Sequence, residues 1–154
     1  MIATTSSESK AQKVKALGAD HIINYRDDAN WGETAKKIAG DQGIQYIIEV
    51  GGPNTMAQSL KAVAFDGIIS VIGFLGGVKG EAQPSVLDAL TNICTIRGVY
   101  VGSRQQFEEM NRAIEASKIK PVVDDKIFTL DQLKEAYQFQ WDQKHFGKIG
   151  VRID

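Results

Sequence analysis

An α/β fold with mostly parallel strands is the architecture this sequence predicts, and three observations predict it. Short apolar, β-branched runs alternate with longer segments whose apolar residues fall at helical spacing, the pattern of successive strand–helix units. Glycines follow several of these segments, at Gly18, Gly40, Gly51, Gly52 and Gly73, where helix stops and strand-end turns need them. The chain has 154 residues, of which 43% are apolar and 24% charged, enough for one domain with a sizeable core.

Ile2 to Thr5 is a short β-branched run. Ser6-Ser-Glu-Ser9 supplies hydroxyls suited to a helix start, and Lys10 to Leu17 continues at helical spacing until Gly18 stops it. His21 to Asn24 reads as a second strand, and Trp31 to Ala39 as a helix ended by Gly40. Gln45 to Val50 is a buried-strand candidate; after Gly51-Gly-Pro-Asn54, a helix from Thr55 to Ala64 carries Met56, Leu60 and Val63 on one stripe. Gly67 to Gly73 is the most apolar strand. Residues 85 to 92 form a short helix leading into a strand from Cys94 to Val101, and Gln105 to Ser117 is again helical. Beyond it, Pro121 to Asp124, Ile127-Phe128 and Lys148 to Ile153 are strand-like pieces around a helix from Leu130 or Asp131 to about Phe139. A return of this kind in a chain of strand–helix units usually completes a neighbouring domain.

Charge and cysteine content exclude several function classes. A net charge of −1 with scattered basic residues gives no footprint for nucleic acid and no polybasic patch for a membrane surface. No apolar run approaches the length of a membrane span, and Met1-Ile-Ala-Thr-Thr5 lacks the features of a signal peptide, so a cytoplasmic protein is expected. The single cysteine, Cys94, lies among apolar neighbours and reads as a small core residue rather than a nucleophile. His21, His145 and Cys94 have no metal-ligand spacing, and no metal is expected.

Six runs, in order along the chain, resemble the medium-chain dehydrogenase/reductase family, close to its quinone-oxidoreductase-like and zinc-type alcohol dehydrogenase members. They are Ala3-Thr-Thr-Ser-Ser7, Leu17-Gly-Ala-Asp-His-Ile-Ile-Asn-Tyr25, Glu49-Val-Gly-Gly52, Gly67-Ile-Ile-Ser-Val-Ile-Gly73, Gly98-Val-Tyr-Val-Gly102 and His145-Phe-Gly-Lys148. The resemblance implies an incomplete Rossmann-type parallel sheet with flanking helices over residues 1–121, lacking the first strand and the glycine-rich phosphate loop. It implies for residues 122–154 a return into the family's catalytic domain, whose remainder would be missing. The first strand is central in such a sheet. Its loss should leave two unpaired edges, relieved either by direct pairing of strand 2–5 with strand 45–50 or by another chain. A homodimer is therefore expected, strand-exchanged or edge-paired near residues 96–101.

The same resemblance implies candidate cofactor residues. Lys10 and Tyr25 match positions that clamp the adenosine 2′-phosphate in NADPH-using members, and Ser6 and Ser7 add hydroxyl donors to that point cation. No acidic residue stands at Thr5, Ser6 or Ser7 to hold a ribose 2′-hydroxyl, which favours NADP(H) over NAD(H). The alternative is that the serines only cap a helix and Lys10 is a surface cation. Val50-Gly51 and Gly73-Phe74-Leu75 end consecutive strands, where an open α/β sheet places its ligand crevice; by resemblance they flank the adenosine and nicotinamide halves, and otherwise they are turns. Val99, Tyr100 and Val101 resemble the segment that reaches the carboxamide and pairs across the dimer, and they also suit a plain edge strand. Arg104 is a cofactor contact or the start of a helix. Glu49 is the carboxylate nearest the crevice and reads first as a cap or salt-bridge residue. Tyr46, Tyr100 and Tyr137 are expected in the core with a hydrogen-bonded tip, and Trp31 and Trp141 as packing residues. No catalytic residue can be named.

Two functional readings result. One is a truncated NADP(H)-dependent oxidoreductase whose full-length relatives transfer hydride to or from a carbonyl, quinone or activated alkene. The other is a naturally short family member with a non-redox enzymatic or assembly role in the residual crevice.

Overall fold

Strand β1 (Ile2–Thr5) feeds helix α1 (Glu8–Ala16) through Ser7, whose hydroxyl accepts from the Lys10 amide at 3.4 Å, so the serine run does supply the cap. The computed structural model describes residues 1–77 and 84–153, so Asp154, the end of the expected return segment, lies outside the described residues. β2 (His21–Asn24) pairs parallel with β1, and α2 (Trp31–Ile38) leads to β3 (Ile44–Glu49). α3 (Pro53–Ala62), β4 (Val63–Val71), the short α4 (Leu87–Thr91) and β5 (Thr95–Gly98) complete a parallel sheet of order β3-β4-β5. Each crossover runs through a helix, as parallel pairing requires. α5 (Arg104–Ala116) begins in a capping box between Ser103 and Gln106. Parallel strands β6 (Val123–Thr129) and β7 (Lys148–Arg152) are joined through a single 3-10 turn (Leu130–Gln132) and α6 (Leu133–Trp141). The chain divides into a unit of Met1–Val101 and a unit of Gly102–Asp154.

The first unit is held by two apolar clusters that share one residue. Met56 and Leu60 of α3 pack on Val63 and Ile69 of β4, with Ile47, Val71, Cys94 and Ile96 around them. Ile23 of β2, Ala35 of α2 and Ala62 of α3 form the second cluster, joined by Ile2, Trp31, Ile44 and again Ile47. This second cluster reaches β1, β2 and β3, and so ties the two sheets of the unit together. α2 and α3 lie so close that a Cβ on Gly32 would stand 2.1 Å from the Gln58 carbonyl oxygen, while the Gly32 amide donates to Gln58 Oε1 at 3.0 Å. Lys61 on α3 adds an ion pair to Glu33 on α2 at 3.0 Å.

Direct pairing of β1 with β3 does not occur. Among the described residues β1 has β2 as its ladder partner and β3 has β4. Between the two facing edges lies a cleft of about 980 Å³, bordered by Ile2, Thr4, Ile44, Tyr46 and Ile48, with Trp31 also lining it. A ladder needs about 4.8 Å between strands, and the cleft occupies that space.

Several expectations are corrected here. Strand β3 is not buried along its length, since Tyr46 is 75% and Ile48 63% exposed on the cleft side. Tyr100 and Tyr137 are also exposed, as is Trp141, whereas Trp31 packs in the second cluster. Periodicity marks the face a residue occupies, not whether a neighbour covers that face. The strand expected over Cys94 to Val101 stops at Gly98: Val99 makes one last bond to the Val71 carbonyl (2.9 Å), and Val101 then turns away at φ 50°. The strand expected from Gly67 starts earlier, at Val63; Asp66 at φ 58° makes a bulge that shifts the register against β3 between Ile44 and Tyr46.

Candidate functional site

Ser6 and Ser7 lie immediately after β1, and Tyr25 immediately after its partner β2. The Tyr25 amide donates to the Thr5 carbonyl at 3.1 Å, which carries the parallel register one residue past Thr5 and Asn24. Lys10 sits in the first turn of α1, in the same turn as the cap that Ser7 makes. The four residues thus gather at the carboxyl end of the two-stranded sheet. Lys10, Ser6 and Ser7 are half-buried and Tyr25 is exposed. The first carboxylate after β1 is Glu8, and Gln12 one turn along donates to it at 2.5 Å. A point cation, three hydroxyls and the positive end of a helix make a donor set suited to a phosphate monoester.

The other candidates lie at the carboxyl ends of β3, β4 and β5. Glu49 and Val71 are in register, and Val71 with Gly98, so Val50-Gly51, Gly73-Phe74-Leu75 and Val99-Tyr100-Val101 leave the sheet at one level. The first two loops are laced together by backbone. The Leu75 amide donates to the Val50 carbonyl at 3.1 Å and the Gly76 amide to the Gly51 carbonyl at 2.8 Å. A Cβ on Gly52, which stands at φ 84°, would lie 2.8 Å from the Phe74 Cα, so only glycine permits this approach. Val50, Phe74, Leu75, Tyr100 and Val101 present an exposed apolar rim. Arg104 opens α5 and pairs with Glu108 at 2.7 Å, which agrees with a helix start.

Glu49 is the residue the sequence undervalued. It is 3% exposed, and its Oε1 accepts from the Gly51 amide (2.8 Å), the Gly52 amide (2.9 Å) and Thr55 Oγ1 (2.5 Å), while Oε2 accepts from Ser59 Oγ. This is the capping reading rather than the salt-bridge one. The legible signal was Thr55 and Ser59 one turn apart on α3, which puts two hydroxyls on the helix face turned to the strand end. Cys94 packs against the first cluster, and burial pushes its thiol pKa up.

The zinc-binding dehydrogenase family model matches residues 1–116. A zinc-type alcohol dehydrogenase-like protein of Schizosaccharomyces pombe is 44% identical over 98% of this chain and 44% of its own length. The quinone oxidoreductase-like protein 2 of Bos taurus is 27% identical over 97% of this chain and 44% of its own. A solved structure from Sinorhizobium meliloti 1021, described as an alcohol dehydrogenase, is 37% identical, with a TM-score of 0.85 over 99% of this chain and 43% of that one. The chain spans less than half the length of these relatives. Zinc, which the family's description names, does not fit the residues present: no group of three or more His, Cys, Asp or Glu side chains able to hold a metal is gathered among the described residues. No described helix is long and apolar enough to cross a membrane. By its matched residues and its sheet, this chain belongs to the zinc-binding dehydrogenase family, within the medium-chain dehydrogenase/reductases, and corresponds to the Rossmann-type part of its relatives.

Proposed function

We propose that this chain provides the adenosine-phosphate clamp and crevice rim of an NADP(H)-dependent oxidoreductase that moves hydride to or from a carbonyl, quinone or activated alkene. The observation that carries the reading is the gathering of Ser6, Ser7, Lys10 and Tyr25 at one strand end, with no carboxylate among Thr5, Ser6 and Ser7. The nicotinamide, when bound, supplies the hydride chemistry. The protein's own residues bind and orient. Lys10 places a fixed charge for the 2′-phosphate, the serine and tyrosine hydroxyls donate to its oxygens, and the laced loops 50–52 and 73–76 offer a firm floor with an apolar rim.

The test is direct binding followed by fluorescence of the reduced nicotinamide. NADPH should bind more tightly than NADH, and Lys10→Ala should weaken NADPH about tenfold, about 1.4 kcal/mol, while leaving NADH unchanged. Equal affinity for both cofactors, or an unaltered NADPH affinity in Lys10→Ala, would defeat the proposal.

One observation favours a second reading, the assembly role. The cleft between β1 and β3 is bordered by two strand edges with one ladder partner each among the described residues, a shape suited to an added strand from another chain.

A further inference from the structure

We infer that Glu49 is a positioning residue for the crevice, the anchor of a frame that joins both loops proposed to receive the dinucleotide. The inference rests on that proposal for its functional consequence, but the frame itself stands on geometry. An ordinary helix cap satisfies one or two amides of the first turn. Here one side chain from the end of β3 takes four donors from residues 51, 52, 55 and 59, and so binds the turn and two successive turns of α3 to the strand. Gly52, which occupies the cap position itself, has no side chain to do this. Among the described residues no ion pair reaches Glu49; its charge is met by amide and hydroxyl dipoles and the positive end of α3.

The frame extends one hydrogen bond further. With its turn held, Val50 and Gly51 point their carbonyls at the Leu75 and Gly76 amides, and the Glu49 carbonyl itself accepts from Ile72 at 2.9 Å. Asn54, in the first turn of α3, donates from Nδ2 to the Gly76 carbonyl and closes the loop back onto the helix. The position of loop 72–76, with the exposed Phe74 and Leu75, is thus set by an acceptor on a different strand.

Amide hydrogen exchange reads this frame without any cofactor. In the 154-residue chain, Glu49→Leu should lower the protection of the Leu75 and Gly76 amides at least tenfold, while Ile69 in the centre of β4 keeps its protection. Glu49→Gln, which retains an acceptor at Oε1 and can meet Ser59 with its amide, should restore most of that protection. NADPH affinity should fall about tenfold in Glu49→Leu and recover in Glu49→Gln. Unchanged exchange at Leu75 and Gly76 in Glu49→Leu would overturn the inference. Should Glu49→Leu lose protection everywhere, the Thr55→Val, Ser59→Ala pair trims the clamp more gently and must give the same local pattern; uniform protection in that pair also overturns it. Lost loop protection with no change in NADPH affinity would uphold the frame and instead defeat the dinucleotide reading.

Discussion

Cys94 illustrates how packing sets chemistry at a single residue. It follows α4, with its side chain against Met56, Leu60, Val63 and Ile69, and desolvation raises its thiol pKa. A raised thiol pKa leaves less thiolate at any pH below it, and thiolate is the reactive form. Iodoacetamide at pH 8 should therefore alkylate Cys94 more slowly than N-acetylcysteinamide, a thiol of ordinary peptide pKa, and the difference should vanish in denaturant. Equal rates in the folded chain would contradict the packing described. Lys10 is the opposite case, a half-buried cation in a helix's first turn whose proposed worth is read only when a phosphate is offered.

At the scale of elements, α2 and α3 meet closely at Gly32. Gly32 is helical, so alanine there would improve helix propensity by up to about 1 kcal/mol in isolation. A Cβ would instead meet the Gln58 backbone at 2.1 Å, and backbone cannot swing aside as a flexible side-chain tip can. Overpacking of this kind costs roughly 1–3 kcal/mol or more, so the steric effect wins. Gly32→Ala should lower unfolding stability by at least about 1 kcal/mol in urea denaturation followed by circular dichroism, and a stabilised variant would show that the helices separate freely.

For the whole molecule, the cleft leaves the facing edges of β1 and β3 open within the unit Met1–Val101. Strand edges of this sort are templates for pairing, and Tyr46 and Ile48 leave apolar surface along one of them. Sedimentation at low micromolar concentration should give a mass above the monomer's that rises with concentration. Ile48→Lys should shift the balance toward monomer by placing a charge in the cleft. A compact monomer throughout that range would rule out association by the chain as it stands. The second unit, built on Phe128 against Phe139 and on β6 with β7, is internally ordered by its own crossover helix.

The sequence by itself determined the class of fold and the order of the strands and helices. Those properties are local: β-branched runs, a serine cap before α1 and hydroxyls at helical spacing act within a few residues. Tertiary structure alone decided which faces are covered and which edges meet. Tyr46, Tyr100 and Trp141 fit core patterns yet stand exposed, and β1 was free by pattern to pair with β3 yet does not. Glu49 read as one carboxylate among many until α3 brought Thr55 and Ser59 to it. The physical reason is that burial and long-range hydrogen bonds depend on which neighbours arrive from elsewhere in the chain, and no periodicity along one strand or helix encodes that.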